Sequence, residues 1–214
     1  MVKIIVFSNI KGGVGKTTLC ALFASYLTEK GVPVQVLDAD IQASLFRHRE
    51  REAVTYPGQK IPYPVTLYDT SDQKLRNVLS EARQWDGITL IDCPGNVNDP
   101  NLAYIYSVAD IAIIPMAYDV DTVDATGLFV QAIRPHTSAE MLFVPNRINT
   151  TEGKAEELRQ REQTRDILDK IGTMTPRIKQ TVVVKRYSTV FPLDRFQRNA
   201  VEHAFDVIIK KINL

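Results

Sequence analysis

The sequence predicts an α/β fold, a mostly parallel sheet with helices on both faces, and two observations carry that expectation. Short runs rich in Val and Ile alternate along the chain with longer stretches of helical patterning, the order that strand–helix–strand units require. The short runs are continuously apolar rather than alternating, so each strand is expected to be covered on both faces. With 214 residues, 44% of them hydrophobic, the chain can build one sizeable core. No repeat, low-complexity tract or linker divides it, and a single domain over 1–214 is expected.

The elements follow in order. Residues 2–8 form the first expected strand and 17–30 the first helix, with Gly31 placed as its left-handed C-cap. Residues 34–37 are the second strand. Residues 41–52 look helical and polar on one side, and 56–64, with Pro57, Gly58, Pro62 and Pro64, read as a loop. Residues 65–68 form a strand and 71–85 a helix, with Ser71 as its candidate N-cap. Three further buried strands cover 88–91, 111–115 and 141–144, with helices over 100–108 and 122–133 between them. Residues 151–171 read as a long charged helix and 194–212 as the last.

Composition narrows the function classes. Lys and Arg number 26 and Asp and Glu 25, a net charge of +1, so any nucleic-acid affinity must come from a local patch. Cys20 and Cys93 stand in apolar surroundings, which reads as two reduced core thiols and a cytoplasmic compartment. The apolar start is interrupted at once by Asn9 and Lys11, so no signal peptide is expected, and no run is long enough to span a membrane.

The chemistry is concentrated where the first strand meets the first helix. Lys11-Gly12-Gly13-Val14-Gly15-Lys16-Thr17-Thr18 is a phosphate-binding loop, in the strand–loop–helix context that the motif needs. Glycines let the backbone wrap phosphates and aim N–H groups inward, and the helix N-terminus adds positive potential. Lys16 is placed for the β- and γ-phosphates of ATP, and Thr17 offers a hydroxyl to Mg²⁺, which prefers oxygen ligands. Ile10 stands where the usual pattern has its first glycine, and Lys11 makes the second position a lysine.

Two strands end in carboxylates. Asp38 and Asp40 close the second strand in Asp38-Ala39-Asp40-Ile41-Gln42, where acidic groups can hold Mg²⁺ waters or orient an attacking water. Asp40 as a helix N-cap is the plainer alternative. Asp92 ends an apolar strand before Cys93-Pro94-Gly95, the form in which an aspartate binds Mg²⁺ through water. Asn146 follows a later strand; an amide can satisfy both the donor and the acceptor on adenine's edge, with a turn-forming Asn as the plainer alternative.

The loop resembles that of the ParA/MinD family of deviant Walker ATPases, and the likeness extends over residues 1–147. The resemblance implies an ATP-sandwich homodimer in which Lys11 reaches the partner's nucleotide. It makes Asp40 the hydrolytic aspartate, Asp38 the one near the metal, Asp92 a magnesium residue and Asn146 an adenine reader. Ile41 replaces the family's usual proline. Pro94-Gly95 resembles a second switch responsive to the γ-phosphate.

Three classes compete within the family. A ParA-type partition ATPase of a plasmid or mobile element would bind DNA non-specifically with ATP and release it on hydrolysis, stimulated by a centromere-binding or adaptor protein. With the loop at residue 11 no preceding operator-reading domain is expected. Lys179, Lys185, Arg186, Arg195, Arg198, Lys210 and Lys211 crowd the last third and either serve DNA or form a solvated face among Asp194, Glu202 and Asp206. A MinD-like positioning ATPase would use the last helix on a membrane, though such a helix more often packs on the sheet. An iron–sulfur relative is disfavoured by the positions of both cysteines. ATP hydrolysis is the expected reaction, carried by positioning and charge neutralisation and slow without a strong glutamate base.

Overall fold

The computed structural model describes residues 2–68, 74–96, 99–149 and 155–213. Seven strands, β1 (Ile4–Phe7), β2 (Val34–Asp38), β3 (Val65–Leu67), β4 (Ile88–Asp92), β5 (Ile111–Met116), β6 (Glu140–Pro145) and β7 (Thr173–Met174), join in one parallel sheet. Their order is β3-β2-β4-β1-β5-β6-β7. The α/β fold with a parallel sheet is therefore as expected. The helices are α1 (Lys16–Glu29), α2 (Ser44–Thr55), α3 (Lys74–Gln84), α4 (Pro100–Val108), α5 (Val120–Ile133), α6 (Ala155–Asp169), α7 (Val182–Lys185) and α8 (Arg195–Ile212).

Successive side chains of a strand point to opposite faces, and β1 shows the result. Ile5 and Phe7 enter one core with α1 and α8, while Ile4 and Val6 enter the other with α3, α4 and α5. In the first core the Phe23 and Phe205 rings meet edge-on at 5.0 Å. Full burial of each such ring contributes about 1.5–3 kcal/mol. Cys20 and Cys93 are buried and free.

α8 begins in a capping box between Asp194 and Gln197, which satisfies orphan amides at the first turn. Its buried Val201, Ala204, Phe205, Ile208 and Ile212 recur at three- and four-residue steps. This stripe packs on the sheet, which settles where the apolar face of the last helix goes. Among the described residues no helix is long and apolar enough to cross a membrane.

Several elements differ from expectation, some for evident local reasons. α2 starts at Ser44 rather than 41, because Asp40 closes a tight turn instead of capping the helix. Its carboxylate accepts from the Gln42 N–H at 2.9 Å and its carbonyl from the Ala43 N–H at 2.7 Å. β7 and α7, of two and four residues, are too short to show any period. Ser71, the candidate cap of α3, and positions 151–154 of the expected charged helix lie outside the described residues. Gly31 does terminate α1, at φ 77.

Candidate nucleotide site

The carboxyl ends of β1, β2 and β4 lie side by side, the place where open α/β sheets hold ligands. The loop from Lys11 to Gly15 leaves β1 and curls back into α1. Gly13 and Gly15 take φ values of 76 and 100, a left-handed backbone that only glycine adopts without strain. Gly15 is the N-cap of α1 and no side chain caps that end, so its first-turn amides stay available to an anion.

Distant residues brace this loop. Asn9 accepts from the Lys11 N–H at 3.1 Å while its own amide donates to the Pro115 carbonyl and the Thr126 hydroxyl. Asn146 Nδ2 donates to the Val14 carbonyl at 2.8 Å, and Arg147 Nη1 to that of Gly13 at 2.6 Å. A Cβ on Gly15 would collide with the Asn146 amide. Asn146 is thus a buried clamp on the loop, and its Oδ1 is buried without a partner. Asn9 and Arg147 escaped the sequence reading; Asn9, a polar residue ending a buried strand just before the loop, was the legible signal of the two.

A cleft of about 550 Å³ opens over the loop, lined among others by Gly12, Lys16, Thr17, Thr18, Asp40, Ile41 and Gly95. Lys16 is half-buried there with Nζ 3.5 Å from the Lys11 carbonyl. Burial lowers its pKa, and Asp92 and then Asp40 pull it back up. A Cβ on Gly95 would stand 3.4 Å from that Nζ, so the Pro94-Gly95 segment lies close to the loop's cation. Lys11 points outward, its Nζ 3.6 Å from Asp121 Oδ2 at the start of α5, in an exposed pair that contributes little to stability.

Asp38 and Asp92 are paired in register on β2 and β4, and both are buried. Asp38 accepts from the Asp40, Leu45 and Phe46 N–H groups at 3.2, 3.0 and 2.9 Å, so its oxygens cap α2. Burial still raises its pKa, against the pull of these three N–H groups. Asp92 has both oxygens buried with no well-formed hydrogen bond. Burial pushes its pKa up to about 8; the nearby Thr17 hydroxyl and Lys16 lower it and Asp38 raises it. A buried carboxylate without a partner, facing Thr17 and Lys16, fits a hydrated Mg²⁺, a hard cation held by one or two carboxylates and substrate phosphates.

A second cavity of about 250 Å³ lies on the other side of Gly13 and Gly15, lined by Asn146, Arg147, Lys179, Thr181 and Lys185. The structure therefore gathers every residue singled out from the sequence, Lys11 to Thr18, Asp38, Asp40, Asp92 and Asn146, around one loop. Of the basic tail, Arg198 pairs with Glu29 and Lys211 with Glu140.

Comparison with known proteins places this geometry. Residues 5–189 match the family described as the CobQ/CobB/MinD/ParA nucleotide binding domain. Protein ParA of Rhizobium radiobacter is 27% identical over 114 residues, 53% of this chain and 48% of that protein, so the match spans about half the relative's length. A putative plasmid partition protein from Borrelia burgdorferi, bound to AMPPNP, has the same fold, with a TM-score of 0.74 at 19% identity over 98% of this chain and 99% of that one. Cobyrinic acid a,c-diamide synthase from Mycobacterium smegmatis, with bound ADP and magnesium, gives 0.71 at 18% identity over 100% and 96%. With that match covering most of the chain, around a glycine loop that opens α1, this chain belongs to the CobQ/CobB/MinD/ParA family of nucleotide-binding ATPases.

Proposed function

We propose that residues 1–214 form one ParA-type ATPase domain that binds ATP with Mg²⁺, dimerises on ATP and partitions plasmid or mobile-element DNA in the cytoplasm through nucleotide-switched, non-specific DNA binding. The observation that carries the nucleotide reading is Asp92, whose two partnerless buried oxygens face Lys16 and Thr17 beneath uncapped helix amides. Bound Mg²⁺ would neutralise charge on the phosphates. Lys16 then holds the β- and γ-phosphates, Gly12 to Thr18 present backbone amides, and Thr17 and Asp92 orient the ion's shell. Asp38 acts through α2, whose first turn it caps. Asp40, in the cleft wall, orients the attacking water. Asn146 holds the loop beside the adenine. Turnover is slow until a centromere-binding or adaptor protein stimulates it.

Lys11 at the loop's outer edge serves a facing subunit, exchanging Asp121 for the partner's nucleotide. A MinD-like positioning role on a membrane would call on the apolar face of α8, and that face lies in the core, which favours the partition reading. Calorimetry with Mg-ATP tests the nucleotide site. Lys16→Ala should lose roughly 1.5–3 kcal/mol of binding, the value of hydrogen bonds to a charged group; parental affinity would end the assignment. Light scattering tests the switch: Lys11→Ala should bind ATP and stay monomeric, and ATP-dependent dimers would refute the trans lysine.

A further inference from the structure

Beyond the cleft, one flank of the molecule carries three arginines around one tyrosine. Tyr118 follows β5. Arg161 and Arg165 lie one turn apart on α6, and Arg177 follows β7. The Arg161 guanidinium carbon stands 6.0 Å from the centre of the Tyr118 ring. All three arginines pull down the pKa of the Tyr118 hydroxyl, which burial raises; their charges converge on one side chain. They line a cavity of about 320 Å³. A neighbouring cleft of about 470 Å³, with Gln160 and Gln180 on its walls, shares Tyr118 and Arg161 with it.

Some cations of this protein are paired: Lys3 with Asp86, Arg83 with Asp110, Arg198 with Glu29 and Lys211 with Glu140. Among the described residues Arg161, Arg165 and Arg177 have no carboxylate at ion-pair distance, although Glu162 shares their cavity. Three guanidinium groups set around one side chain, with Glu162 in the same cavity and Glu157 in the neighbouring cleft, gather positive charge locally in a chain of almost zero net charge. A guanidinium is a rigid planar fork of donors that fits phosphate oxygens in pairs. An acidic protein segment would also need apolar seating, and the cavity offers one exposed large apolar side chain, Leu158.

We propose that Arg161, Arg165 and Arg177, set around Tyr118, seat the phosphodiester backbone of duplex DNA. This rests on the DNA-binding reading above and moves the contact from the basic tail to the flank formed by α6 and β7. Tyr118 is half-buried and positions guanidinium groups rather than reading bases, so recognition is of phosphate alone. Arg147 lines the neighbouring cleft and holds the Gly13 carbonyl, so groove and phosphate loop share a residue.

The test is fluorescence anisotropy of a labelled random-sequence duplex with the full chain and ATP across a salt series. Arg161→Ala/Arg165→Ala/Arg177→Ala should bind roughly tenfold more weakly or worse, and the slope of log affinity against log salt should shrink by about 2.7, at about 0.9 per lost phosphate contact. Arg195→Ala/Lys210→Ala should bind as the parent does, and all should keep parental ATP affinity in calorimetry. If the triple variant folds poorly, Arg165→Gln/Arg177→Gln, both at exposed positions, should shrink the slope by about 1.8. Parental affinity and slope in the arginine variants would overturn the inference and leave the DNA reading standing. A parent that binds no DNA with ATP would overturn both. Arginine-dependent binding of polyglutamate but not of duplex would identify a seat for an acidic protein segment and likewise overturn the inference.

Discussion

Asp38 and Asp92 end neighbouring strands, are partners in register and are equally hidden from solvent, yet their surroundings are opposite. Asp38 has three backbone N–H donors; Asp92 has two oxygens with none. The first strand end is complete within the protein and fixes the start of α2. The second is left unsatisfied by the chain, at the place where the proposed Mg²⁺ would sit. Two residues alike in type, burial and strand position therefore differ in whether the chain itself satisfies them, and that difference separates the carboxylate that caps a helix from the one proposed to bind.

The comparison breaks first at Asp92. Asp92→Asn should lower Mg-dependent ATP turnover by roughly 10–100-fold, the scale for residues that orient a metal's surroundings, without lowering the melting temperature of the nucleotide-free protein. A lower melting temperature would make Asp92 structural like Asp38. At Asp38 the expectation reverses. Asp38→Ala should cost about 2–3 kcal/mol in urea unfolding, the loss of a helix cap together with buried amides left unpaired. An unchanged midpoint would show that α2 does not depend on that carboxylate.

pH sharpens the contrast. In metal-free buffer with chelator, the folded pKa of Asp92 is about 8, above the roughly 3.9 of an unfolded aspartate. The native state then holds the extra proton between those values. This group's stabilising share is full below about pH 4 and is lost as pH rises through about 8. Parent stability should fall over that range more than that of Asp92→Asn, and equal slopes in thermal melts at successive pH values would refute it. Asp40, the third carboxylate, should matter least to folding. Asp40→Ala should stay within about 0.5 kcal/mol of the parent and bind ATP, yet lose turnover in a phosphate-release assay. Parental turnover would reduce Asp40 to its turn.

Much of this was readable in the residues. Buried strands and the strand–loop–helix at 2–30 are local patterns, and glycines at 13 and 15 announce their backbone. Helix capping was expected of Asp40 as its alternative role, and the fold gives it to Asp38: both precede a helical pattern, and only the fold shows which side chain reaches the amides of Leu45 and Phe46. Partners of the basic tail were hidden for a related reason. Arg198 meets Glu29, and Lys211 meets Glu140, and no local spacing encodes pairs so remote in sequence. Arg161 and Arg165 looked like the exposed side of a charged helix until Tyr118 and Arg177 were found beside them.

The Asn146 and Arg147 clamp bears on the order in which the protein is assembled. Both residues follow β6, more than a hundred positions after the loop whose carbonyls they hold. During synthesis β1, the loop and α1 emerge well before β6, but the loop's backbone gains these two restraints only when β6 has docked beside β5. A segment that precedes β6 in the chain is thus finished only after β6 has docked, and the loop's full bracing arrives with most of the sheet already in place.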